Sequence, residues 1–201
     1  MAEPNLDPSL NPRLSIYNVG ESLPQFETMA PSNESLTWDP VKTPEFVMGT
    51  LFAVVISYFS NTGSRWIPLI DGTNLLFHEA GHPFFGILSE RLGIYGGTLG
   101  QLCFPLGIGV YFWREGKTTS VFVCAVWLMQ NLWNIARYMS DARARLLPLV
   151  GNGDRIHDWA EILSRWQVLK SDTLIAGRLS LIAGIGMLVS WWWFKKKWQE
   201  L

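Results

Sequence analysis

The chain has 201 residues, of which 48% are hydrophobic, 13% aromatic and only 16% charged, against a usual charged share of about 25%. Its 16 Lys and Arg and 17 Asp and Glu give a net charge of −1, and the only tight basic cluster is Lys195, Lys196 and Lys197. That leaves no electrostatic footprint for nucleic acid. No charge falls in 46–64, 92–113, 118–136 or 179–194, windows of 19, 22, 19 and 16 residues. A membrane-spanning helix takes about 17 to 25 mostly apolar residues, so the pattern speaks against a soluble domain and for an integral membrane protein.

Residues 1–44 hold seven of the eleven prolines and few apolar clusters, the composition of a flexible polar tail. The tail lacks a basic and apolar secretory leader, so the first apolar helix is expected to direct insertion. That helix is read over 45–61 and carries no chemistry. A second, over 66–88, is apolar except for Asp71, His78, Glu79 and His82, ionisable groups that are expensive at membrane depth and usually functional there. A third covers 97–113, with Gln101 and Pro105 inside, and a fourth 118–139, with Gln130, Asn131 and Asn134 near its end. A polar loop at 140–173 is long enough for a short helix over 158–169. The fifth helix, 174–194, combines Gly177, Gly184 and Gly186, which permit close helix contact, with three tryptophans at an interface. The expected architecture is all-α: a transmembrane bundle of about five helices over 45–201, its cysteines Cys103 and Cys124 acting as small apolar side chains. The basic residues give no consistent orientation, and an interfacial or re-entrant second segment would change the parity of crossings.

His78-Glu79-Ala80-Gly81-His82 is an H-E-x-x-H motif. On a helix its two imidazoles stand one turn apart on one face and can converge on a metal. Glu79 beside them can act as general base toward a water whose pKa the metal lowers to about 7. A shuffled chain with this many His and Glu would contain the pattern in roughly one or two cases per thousand. Without a metal, two histidines and a glutamate in an apolar helix need partners from neighbouring helices. A catalytic zinc takes three protein ligands and keeps its fourth position open. Two candidates stand for the third: His157, the one remaining histidine, and Asp141, just beyond the fourth helix. Gln101, Gln130, Asn131 and Asn134 serve either as supporting hydrogen-bond partners or as interhelical glue.

The segments LLFHEAGHPFFG, GGTLGQLCFPL, QNLWNIARYMSDARARLLPLVGNG and HDW, within about residues 70–165, resemble a family of small bacterial membrane proteins with an HEAGH helix. More distantly, the motif on an apolar helix resembles the site-2 protease group of intramembrane zinc metalloproteases. That resemblance implies zinc held by His78, His82 and an Asp from a later helix, with Glu79 as base; the group's Asp-Gly pairing departs here, since Ala142 follows Asp141. The reading is a zinc-dependent metallopeptidase of the bacterial inner membrane, acting on peptide or membrane-protein substrates among membrane lipid. The alternative is a non-catalytic, zinc-stabilised membrane protein or an assembly and interaction factor.

Overall fold

The computed structural model describes residues 37–62, 66–147 and 157–200. These are all-helical: α1 Thr43–Asn61, α2 Pro68–Gly86, α3 Glu90–Arg114, α4 Thr118–Ser140, α5 Asp158–Arg165 and α6 Asp172–Gln199, with a 3₁₀ turn at Leu169–Ser171 leading into α6. Three of them, α1, α4 and α6 with its leading turn, are long and apolar enough to cross a membrane. Only 22% of the α1 window and 17% of the α6 window is buried. Val47, Leu51 and Val54 on α1 and Leu181, Ile185 and Leu188 on α6 face outward, a continuous apolar surface of the kind that lipid covers.

The direction of each helix follows from its contacts. Thr43 meets Trp198 and Thr50 meets Trp191, so α1 and α6 are antiparallel. Phe122 stacks on Phe194 and Trp133 donates to the Ser180 carbonyl, so α4 also opposes α6. A turn at Glu115–Lys117 sends α4 back along α3. Hence α1 ends, and α3 begins, at the same end of the bundle. The second expected crossing, 66–88, is therefore not seen as one: α2 begins and ends at that one end of the bundle. Sequence alone cannot see this, because a crossing helix and one that stays at one end can share a length of 19 residues. The physical reason lies in its polar side chains. Asp71, Asn74 and His78 are buried in protein, which is where membrane-depth polar groups find partners.

Asp71 and Asn74 find theirs on α4, and His78 finds Asp158 on α5. Asn134 and Gln130 both donate to Asp71 Oδ1 at 2.7 Å, Asn74 donates to Gln130 Oε1 at 2.6 Å, and Trp127 Nε1 donates to Asn74 Oδ1 at 2.7 Å. The Ile67 N–H donates to the other Asp71 oxygen. Each bond adds only about 0.5–1.5 kcal/mol net, but stranding one buried partner costs about 1–3 kcal/mol, so the chain fixes the register of α2 on α4.

On its other side α2 touches α3 backbone to backbone. A Cβ on Gly81 would collide with the Gly96 carbonyl oxygen, and one on Gly100 with the Phe77 carbonyl oxygen. Ser89 opens α3 by accepting the Leu92 N–H at 3.1 Å, which starts the helix at Glu90, ahead of the uncharged stretch that marks it in the sequence. Residues 37–42, from the end of the expected tail, are tied down. Asp39 N–H donates to the Gly116 carbonyl at 2.8 Å, Thr118 Oγ1 donates to the Asp39 carbonyl at 2.6 Å, and Val41 is fully buried. Gly116, at φ +66°, has its missing Cβ facing the Thr37 carbonyl. Residues 1–36 of that tail lie outside the described residues, as does 148–156 of the polar loop.

Gly81→Val should destabilise the protein by at least about 1–3 kcal/mol, because the obstructing atoms are backbone and cannot rotate away. Gly107→Ala, with nothing within 4 Å of the added carbon, should be neutral. Thermal midpoints in detergent check this, and equal midpoints would refute the contact.

Candidate metal centre

The two motif histidines occupy the second half of α2, opposite Gly97 of α3. A Cβ on Gly97 would lie 2.5 Å from His78 Nε2 and 2.7 Å from His82 Nε2, so a glycine there keeps the coordinating edges of both rings open. Gly97 is the eighth residue of α3, which sets the centre about 10 Å from that end of the bundle at 1.5 Å per residue.

His82 Nδ1 lies 2.8 Å from the Gly93 carbonyl oxygen. A carbonyl only accepts, so Nδ1 carries a proton and Nε2 is turned outward, toward Asp158. Asp158 Oδ2 lies 3.3 Å from His82 Nε2 and 3.0 Å from His78 Nε2, and the three donor atoms fall within 4.8 Å of one another. Two imidazole nitrogens and a carboxylate oxygen meeting at one point need positive charge among them, from a proton or a metal ion. Burial pushes the Asp158 carboxyl up, but hydrogen bonds from His78 and His82 outweigh it and hold the group at about 2. The carboxylate is thus ionised throughout the neutral range.

Asp158 arrives at the centre because α5 folds back onto the bundle. An eight-residue helix has no stability of its own. Ile162 and Leu163 are fully buried, and Trp159 and Ala160 nearly so, against Ile135, Met139 and Ala176. Burying each of the larger aliphatic side chains is worth about 1.5–3 kcal/mol, enough to hold the helix in place. Tyr138 adds direction. Its hydroxyl accepts the Asp158 N–H at 3.3 Å, and its ring stacks on His157 at 4.2 Å between centroids.

Neither sequence candidate for the third ligand joins the pair. His157 caps α5, its Nδ1 accepting the Ala160 N–H at 3.3 Å. This bond bends the ring back over its own helix and leaves the Nε2 proton facing Asp141 Oδ2 at 3.6 Å. Burial lowers the His157 pKa, against the opposing pull of the Asp141 charge. Asp141 in turn ends α4 and accepts the Leu146 and Leu147 N–H groups at 2.9 Å each. His157 and Asp141 are therefore turned to one another, and the neighbouring Asp158 reaches the motif. One position along a helix start separates the two outcomes, and capping decides between them. Glu79, half-buried, lies between the two motif histidines in sequence.

Sequence reasoning missed Asp158, Tyr138 and Gly97. The pair His157-Asp158 was the available signal, since a carboxylate beside a capping histidine starts a helix on a different bearing. Gln130 and Asn134 belong to the Asp71 network, whereas Asn131 Nδ2 bonds the Trp127 carbonyl of its own helix at 3.2 Å. Comparison with protein-family models, with curated proteins and with solved structures gives no match to this chain.

The return of α5 can be checked without any metal. In a Cys103→Ser, Cys124→Ser background, the His82→Cys, Asp158→Cys pair should join through a short bifunctional thiol reagent. Cross-linking no greater than in either single-cysteine variant would remove Asp158 from the centre.

Proposed function

We propose that the chain is a zinc-dependent hydrolase embedded in a membrane, most specifically a metallopeptidase cleaving peptide bonds in or near the bilayer. The observation that carries this reading is the convergence of both motif imidazoles on one oxygen of Asp158, with Glu79 in the same motif. Two histidines and one carboxylate are a donor set of catalytic zinc, and bonds of about 2.0–2.1 Å in a tetrahedron put ligand atoms about 3.3 Å apart. The separations of 3.0 and 3.3 Å suit that spacing. This is also the donor set that the site-2 resemblance implies. Asp158 takes the part of the later-helix Asp, with Trp159 where that group has Gly. By the resemblance to small bacterial membrane proteins with an HEAGH helix, the membrane is the bacterial inner membrane.

Zinc bound there would polarise the scissile carbonyl and acidify the attacking water. The chain's own residues supply the proton traffic. Glu79 takes a proton from that water as its oxygen bonds to the carbonyl carbon, then gives the proton to the amine nitrogen as the C–N bond breaks. His82 is held in one tautomer by Gly93, and Asp158 is aimed by Tyr138, so neither ligand needs to reorganise.

Elemental analysis of protein purified without chelator should find about one zinc per chain by this three-ligand logic. His78→Ala, His82→Ala and Asp158→Ala should each lose it. His157→Ala, which removes a capping and positioning side chain, should weaken affinity by about 10- to 100-fold, and so less than Asp158→Ala. Glu79→Gln should keep both metal and thermal midpoint while losing peptide hydrolysis. A metal-free wild type would sink the centre. Full function in Glu79→Gln would leave the zinc structural and reject catalysis.

A further inference from the structure

A groove of 340 Å³ lies between α3, α4 and α6, lined by Leu102, Leu132, Ile135, Met139, Leu179 and Ile182. Among its lining residues only Thr98, Trp159 and Arg178 carry polar side-chain atoms. Two of these want an acceptor. Trp159 is 8% exposed, and its indole N–H is buried with no acceptor among the described residues. Arg178 is exposed, with no carboxylate paired to it among those residues. It is the seventh residue of α6, about 9 Å in from that end of the helix, a depth from which arginine reaches the phosphate layer while its stem stays in hydrocarbon.

An apolar slot with an unpaired cation at headgroup reach matches one kind of occupant. We propose that this groove holds an acyl chain of a single bound phospholipid, whose phosphate pairs with Arg178. Arginine matches a phosphodiester with two parallel hydrogen bonds. A polypeptide segment would pair with Arg178 only by placing an acidic side chain at the mouth of an otherwise apolar slot, whereas every anionic phospholipid carries its phosphate next to its acyl chains. The lipid would brace α5 from behind Asp158, one residue away, yet the site stands whether or not the histidines bind metal.

The test uses the full chain, delipidated in detergent and titrated with phosphatidylglycerol or with diacylglycerol of the same acyl chains, with bound lipid counted by native mass spectrometry. One phosphatidylglycerol per chain should persist at activation energies that strip the rest, and diacylglycerol should be retained at least tenfold less. Arg178→Leu, at an exposed position that leaves the melting temperature unchanged, should cut retention at least tenfold. Leu102→Trp, which fills the groove and leaves Arg178 in place, should do the same. Lys197→Gln, near the opposite end of α6, should leave it unchanged. Wild-type retention in both Arg178→Leu and Leu102→Trp would overturn the proposal, as would equal retention of diacylglycerol. A benzoylphenylalanine at position 102 should cross-link to lipid; a polypeptide adduct instead would also overturn it.

Discussion

The close approach of α2 and α3 constrains everything at the histidine centre. Gly81, Gly96 and Gly100 let two backbones meet where any Cβ would strike a carbonyl or backbone atom, and such contact is the main source of attraction between helices that lipid does not push together. Its consequence is positional. With α2 this close, the Gly93 carbonyl comes within 2.8 Å of His82 and selects its tautomer, and Gly97 lies against both rings. A wider helix pair would leave the motif present in sequence yet without fixed donors, so the packing glycines and the chemistry-bearing residues form one unit.

The other side of α2 meets a different demand. Its Asp71, Asn74 and His78 recur along one face; burying the first two against α4 is tolerable because amides from Gln130 and Asn134 and the Trp127 indole satisfy them, while His78 finds Asp158 of α5. Polar groups in a low-dielectric interior cost several kcal/mol if unpaired, and the same low dielectric strengthens the bonds that are made. Glycine contact on one face and an amide ladder on the other hold a helix that begins and ends at one end of the bundle. The apolar outer faces of α1 and α6 meanwhile present what a bilayer covers.

The centre is completed from a distant part of the chain. Asp158 belongs to a helix too short to persist alone, held by burial of Ile162 and Leu163 and oriented by Tyr138, whose ring stacks on His157. The division of labour among neighbouring residues is instructive. His157 is the better zinc donor by chemistry, but its ring is committed to capping α5, whereas Asp158, one residue on, leaves the helix start in the direction of the motif.

The sequence by itself determined the all-helical class and where each long helix lies, to within two residues except for the start of α3 and the end of α6. Charge-free windows and helix length follow from local composition. It also singled out His78, Glu79 and His82, because a motif confined to one turn of helix carries its geometry in its spacing. Tertiary structure alone decided that α2 begins and ends at one end of the bundle, because direction depends on which helices pair. It likewise decided that Asp158 meets the motif while His157 and Asp141 meet each other, and that Gly97 clears the space between the rings. Each of these depends on residues far apart in the chain. Helical periodicity reports only which residues share a face of one helix, and what that face meets is set by packing across the whole bundle.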